Sequence, residues 1–343
     1  MAQSLHQAAG QNYNLTLSAD PKALAQAHAK TKLSLVADEH GRIFVLKPVY
    51  QAYLAGSPTP QDYSRAVDIY LQAVERADIP HVRYRRLANS LRHFEFQDQF
   101  YVLYPLIDGE PFTGTDSEIT STARAHAELN KALRQIPAAD VKYFKRVIAN
   151  PFLPPISIDQ MYDNAQKAAR AREQTPLLTS ALSLASSALS ILPETQYQTL
   201  PAQITHKDIW PANALYKPDH TLAAILDPDE LMFLPKLRDI VYAAWYFATM
   251  TCPESTISES PEFADNERRK FHLYLNEYVS SDSLTTQERK AVPLVAVRMQ
   301  LEDLLVYTAV AQGLPTTFEK AIATKEHRLR TVLKAREEGM LDF

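Results

Sequence analysis

Residues 205–227 read THKDIWPANALYKPDHTLAAILD, and this stretch decides the fold. Its apolar runs, broken by polar residues, predict strand, loop, strand, turn and strand. Asp208 and Asn213 fall on one loop, with Ile209, Trp210, Pro211 and Ala212 between them. Asp227 closes the next apolar run, Leu222 to Leu226. A hairpin through Lys217, Pro218, Asp219 and His220 would fold Asp227 back beside Asn213. One free carboxylate and two further oxygen donors then meet at a single point. Phosphoryl transfer needs such a set: a group that orients the attacking hydroxyl, and hard oxygen donors that hold magnesium on the phosphates.

The run His206 to Asn213 resembles the catalytic loop of the aminoglycoside phosphotransferase and choline kinase-like superfamily, usually H-G-D-x-x-x-x-N, and the matching protein-kinase loop H-R-D-x-x-x-x-N. Leu226-Asp227-Pro228-Asp229-Glu230 resembles that superfamily's I-D-F-D-D or I-D-W-E variants, and Leu234 to Ile240 is similar to its G-P-R-x-x-D-L helix start. Two motifs at this separation are specific, where a lone H-x-D is not.

The resemblance implies an α+β, bilobal protein-kinase-like fold. A small antiparallel-sheet lobe would span residues 1–106 and bind nucleotide. A mainly helical lobe, residues 107–343, would carry the catalytic loop and the acceptor. The implied reaction moves the γ-phosphate of ATP or GTP to a hydroxyl of an aminoglycoside, amino alcohol or sugar type of substrate, with Mg2+. Asp208 would orient that hydroxyl, and Asn213 and Asp227 would hold the metal. His206 is read as a support of the loop, and Arg238 with Asp239 as anchors of the following helix.

The pattern upstream agrees with this layout. Residues 32–36 and 42–49 read as strands around the turn Asp38 to Gly41, and Gln61 to Ala77 has helical spacing. A second hairpin is expected from Arg83 to Phe96 and Gln99 to Pro105, turning at Gln97-Asp98, with Leu106 to Glu110 as connector. Helices follow at 121–134, 158–172 and through Leu182 to Leu192, and at least two more lie between Thr286 and Glu338.

Lys47 ends the apolar strand Phe44-Val45-Leu46, where kinases place the amine that grips the α- and β-phosphates. Asp68 is taken as its partner carboxylate, with Asp62 and Glu75 as competitors. Asp229, two residues beyond Asp227 and so on the same side of an extended segment, is taken as a further metal ligand or its support. Two departures stand out. The phosphate-covering segment is poor in glycine, offering only Gly10, and Pro228 replaces the usual aromatic residue after Asp227. They leave a second reading open, a pseudokinase-like nucleotide- or ligand-binding protein without turnover.

Composition narrows the partners. The 343-residue chain carries a net charge of −4 with no Lys/Arg run, which argues against nucleic acid. Its single cysteine, Cys252, excludes an internal disulfide framework. No apolar run reaches bilayer length, and the first residues show no secretory pattern, so no membrane partner and a cytoplasmic location are expected. Glu254, Glu259, Glu262, Asp265, Glu302 and Asp303 are candidates to line an acceptor site, or merely solvated helix faces.

Overall fold

The computed structural model describes residues 4–19, 33–49, 60–87, 89, 91–144, 157–171, 175–250, 264–310 and 317–343. The helical reading of Asp20 to Lys30, Lys32, Cys252, Glu254, Glu259 and Glu262 lie outside these residues.

The chain opens with a helix that the sequence reading passes over, α1 (Leu5–Tyr13). Ser4 and Gln7 form a capping box at its start, and Ala8, Ala9, Gly10 and Tyr13 are buried. Gly10 is therefore a helix residue, not part of a phosphate loop. A Cβ there would come within 2.5 Å of the Leu15 carbonyl oxygen, so close packing explains the glycine.

Strands β1 (Leu17–Ala19), β2 (Ser34–Asp38) and β3 (Ile43–Val49) follow, then helix α2 (Pro60–Arg76), then β4 (His93–Phe96) and β5 (Gln99–Pro105). The five strands form one antiparallel sheet in the order β1-β2-β3-β5-β4. Side chains alternate across β3. Phe44 and Leu46 pack with Ala8, Ala9 and Tyr13 of α1, whereas Val45 and Val49 join the main core with α2. Lys47 shares the second face, so the register itself aims it away from α1.

The second hairpin is shorter than expected. Gln97 and Asp98, with φ of 51° and 60°, turn as the sequence suggests, but of the segment Arg83 to Phe96 only His93–Phe96 is a ladder strand. The reason is an ion cluster. Asp68 accepts hydrogen bonds from Arg92 Nε (2.9 Å), Arg92 Nη2 (2.7 Å) and Arg86 Nε (3.0 Å), and Arg92 also donates to the Tyr84 carbonyl. These bonds tie Arg86 and Arg92 to α2, while the Arg85 N–H still donates to the Leu103 carbonyl of β5 at 2.7 Å.

Beyond the connector lie β6 (Glu110–Pro111) and α3 (Asp116–Arg134), the latter capped by Thr115 and Glu118. Helices α4 (Ile158–Arg170), α5 (Pro176–Ala188) and α6 (Glu194–Tyr197) lead to β7 (Ala202–Thr205), β8 (Ala214–Tyr216), β9 (Leu222–Ile225) and β10 (Met232–Pro235). The remaining helices are α7 (Lys236–Thr249), α8 (Asp265–Ser281), α9 (Thr286–Val310) and α10 (Thr317–Glu337). β6, β8 and β9 make one small sheet, and β7 pairs with β10. The result is a bilobal, protein-kinase-like α+β fold. Among the described residues no helix is long and apolar enough to cross a membrane.

Asp68→Ala would leave the Arg92 guanidinium, 4% exposed, buried without its carboxylate. It should destabilise the protein by about 3 kcal/mol. Chemical denaturation checks this, and nucleotide affinity should stay near wild type. A large loss of nucleotide affinity in a folded variant would return Asp68 to the binding site.

Candidate active site

The short strands β7 to β10 exist to fix one loop. Asn213 ends a 3-10 turn over Pro211–Asn213, and its carbonyl accepts the Leu226 N–H at 2.8 Å. That bond, with the Ala214–Ile225 register of the β8–β9 hairpin, sets Asp227 beside Asn213. Asp227 has φ of 61° and Lys207 φ of 69°. Such left-handed backbone in residues other than glycine is costly and is held only by surrounding structure.

Asp208 sits at the centre, half-buried. Its Oδ2 accepts from Asn213 Nδ2 at 2.6 Å and its Oδ1 from the Tyr242 hydroxyl at 3.2 Å. Burial, reinforced by the negative charges of Glu230 and Asp227, pushes its pKa up to about 8. His206 is fully buried, accepts the Asp208 backbone N–H on Nδ1 at 3.3 Å, and is pushed down by burial to about 4. A neutral imidazole that accepts from the loop backbone is a support.

Asp239, on α7, holds the same loop from beneath. It accepts the backbone N–H groups of Lys207 (2.9 Å) and His206 (3.3 Å), and His126 Nε2 of α3 lies 3.2 Å from its Oδ2. Burial opposes its charge, but the bond and charge of His126 hold the carboxyl below its usual range. Arg238 does something else: its Nε donates to Glu302 at 2.9 Å, tying α7 to α9.

Lys47 reaches the loop from the other lobe. Its ammonium bonds Asp227 Oδ1 and, at 2.7 Å, Asp229 Oδ2. Burial disfavours the charge, but Asp229 and Asp227 offset it and hold Lys47 above its ordinary range. The expected Lys47–Asp68 pair is not formed, because Asp68 is engaged by Arg86 and Arg92. The carboxylate beside Lys47 comes instead from Asp229, itself fixed by the hydroxyls of Tyr63 (2.6 Å) and Tyr84 (3.2 Å). Burial and the charge of Asp229 push Asp227 up, whereas Lys47 and Tyr63 hold Asp229 below its usual range.

The donor set suits a divalent cation that also binds phosphate. Asn213 uses its amide nitrogen on Asp208, which leaves its Oδ1 for a ligand. The Asp227 side chain is 33% exposed and engages Lys47 through one oxygen. Among the described residues no three His, Cys, Asp or Glu side chains cluster as a cage. Magnesium is typically held by one or two carboxylates together with phosphates and water, so the pair is sufficient. Asp229, with both oxygens engaged, fits the metal less well than Asn213 or Asp227.

Several neighbours escaped the sequence reading. Tyr242, Tyr63, Tyr84 and His126 touch site carboxylates across long separations in the chain. Only Tyr242 carried a signal, being three residues beyond Asp239 and so on the same helix face. Lys207 stands where the H-G-D pattern has glycine, and its buried ammonium donates to Glu230 at 2.8 Å. Lys207→Gly and Lys207→Ala both remove that pair, so their difference isolates the backbone strain. The glycine variant should be more stable by about 1 kcal/mol in a denaturant titration. Equal stabilities would show that φ of 69° costs nothing here.

Comparison with known proteins shows the fold and the family. The family model described as the phosphotransferase enzyme family matches residues 34–268. No curated protein matches the chain. Among solved structures, an aminoglycoside phosphotransferase from Alicyclobacillus acidocaldarius subsp. acidocaldarius DSM 446 superposes with a TM-score of 0.64 at 15% identity, covering 99% of this chain and 97% of that one. A microcompartment-associated aminopropanol kinase gives 0.66 at 16%, covering 98% of each. An amicoumacin kinase in complex with AMP-PNP, Ca2+ and Ami gives 0.60 at 11%, covering 95% of this chain and 96% of that one. The family model spans well over half of the sequence, and the chain belongs to the phosphotransferase enzyme family.

Proposed function

We propose that this protein transfers the γ-phosphoryl group of ATP or GTP to a hydroxyl of a small molecule, with residues 1–106 forming the nucleotide lobe and 107–343 the acceptor lobe. The observation that carries the reading is the convergence of Asp208, Asn213, Asp227 and Lys47 from β3, the catalytic loop and the turn after β9. A relative of the same fold in complex with AMP-PNP and Ca2+ supports a nucleotide and a divalent cation.

Asp208 accepts a hydrogen bond from the acceptor hydroxyl and aims its oxygen in line with the γ-phosphorus. The new bond joins that oxygen to phosphorus as the bond to the β–γ bridging oxygen breaks. The nucleoside diphosphate leaves, and the hydroxyl proton passes to Asp208 Oδ1 or Oδ2. A positioned base of this kind contributes about 10²–10⁴-fold. Tyr242 and Asn213 fix the direction in which the carboxylate points.

Asn213 Oδ1 and Asp227 would hold Mg2+, which offsets negative charge on the phosphate oxygens when bound. Lys47 supplies a fixed positive charge toward the phosphates, and Asp229 keeps its ammonium in place. This assigns Asp229 to Lys47 rather than to the metal, and leaves Asp68 to the scaffold.

Asp208→Ala should lower turnover by at least about 10²-fold while thermal stabilisation by Mg2+ and nucleotide persists. Undiminished turnover would remove Asp208 from the reaction. Retained nucleotide binding with no turnover on any hydroxyl compound, even in the wild-type protein, would favour a binding protein instead. Asp227→Ala should abolish the Mg2+ dependence of nucleotide stabilisation in the same melting assay. An unchanged dependence would place the metal elsewhere.

A further inference from the structure

The wall beyond Asp208 is aromatic and then basic. Tyr242, whose hydroxyl donates to Asp208, packs tilted against Tyr246 at a centroid distance of 4.5 Å. Trp210 of the catalytic loop meets Tyr246 edge-on at 6.4 Å. Asp208, Trp210 and Tyr242 are half-buried, as are Asp303 and Tyr307 beside Lys325, whereas Tyr246 between them is buried. At the far end of the wall lie two cations of α10. Lys325 donates to Asp303 at 2.7 Å, and Arg328 holds its guanidinium 5.5 Å from the Tyr246 ring centroid, with Nη1 3.4 Å from that hydroxyl.

The charges at this end do not balance. Glu302, a sequence candidate to line the acceptor site, is taken up by Arg238 and Arg298, each at 2.9 Å. Asp303 accepts from both Lys325 and the Tyr246 hydroxyl. Arg328 is only 9% exposed, and among the described residues no carboxylate pairs with it. A buried guanidinium without a counter-charge is costly, and its fork of donors matches a carboxylate in geometry. Stacking on Tyr246 stabilises the side chain in place without neutralising it.

We infer that the acceptor is a hydroxy acid: a hydroxylated compound whose carboxylate is bound by Arg328, with Lys325 alongside, while its hydroxyl lies at Asp208. The apolar body of the substrate lies along Tyr242, Tyr246 and Trp210. This inference rests on the kinase reading above.

The test uses matched pairs that differ by one carboxylate: gluconate with glucitol, glycerate with glycerol, and homoserine with 3-aminopropanol. Binding is read by calorimetry on the full-length protein with Mg2+ and ADP, and turnover with Mg2+ and ATP. At least one acid should bind and turn over more efficiently than its neutral or cationic partner. Arg328→Gln should then lower kcat/KM for that acid by about 10- to 100-fold, mainly through KM, and collapse the acid-to-partner ratio. Arg328→Lys should recover part of it. Stabilisation by Mg2+ and nucleotide shows that each variant is folded. Preference for the uncharged or cationic members, no binding of any acid, or an unaltered ratio in Arg328→Gln would each overturn the inference. Failure of Mg2+ and nucleotide to bind the wild-type protein at all would instead sink the kinase reading beneath it.

Discussion

The Asp239 carboxylate, 1% exposed, accepts the backbone N–H groups of His206 and Lys207 and pairs with His126. A buried carboxylate persists only when hydrogen bonds and nearby positive charge offset its desolvation, and here those bonds are the loop itself. They allow Lys207 to keep φ of 69° and so turn Asp208 toward Tyr242 and Asn213. Because Asp239 starts α7 and His126 lies on α3, the loop inherits the rigidity of two packed helices. The bonds that hold the fold together at this point are also those that aim the Asp208 carboxylate.

A second constraint joins the lobes. Lys47 of β3 meets Asp227 and Asp229, about half a chain away in sequence. Behind them, the Val82 N–H donates to the Ile225 carbonyl at 2.9 Å and the Ile225 N–H to the Pro80 carbonyl at 3.0 Å. Tyr70 of α2 bonds His81 at 2.8 Å, and His81 lies against His206 with centroids 5.7 Å apart. The end of α2 is thus bonded to the strand that leads into Asp227. The geometry at Lys47 and the geometry at Asp227 are therefore linked by short bonds.

Much of the site was legible because its parts are close in sequence. Asp208 and Asn213 lie within one turn-forming segment, and the hairpin signal at Lys217 to His220 was enough to return Asp227 to Asn213. Lys47 was legible from strand alternation and the family pattern. The Asp68 assignment failed for a physical reason: charge on a helix says nothing of which cation will reach it, and Arg86 and Arg92 arrive from an irregular segment that the sequence presented as a strand. Helix α1 was missed because its buried face is alanine and glycine, which gives little amphipathic contrast.

By itself the sequence determined the N-terminal strand pairs around a helix, the loop that carries Asp208, and the oxygen donors that flank it. These follow from local spacing, where two or three residues of separation fix which side a group faces. Only the tertiary structure decided the partners: Asp229 rather than Asp68 beside Lys47, Tyr242 on Asp208, Glu230 on Lys207, and Glu302 bound between two arginines. Electrostatic pairing acts over a few ångströms and is indifferent to separation along the chain. It is settled by which faces the folded core brings together, and no local pattern records that outcome.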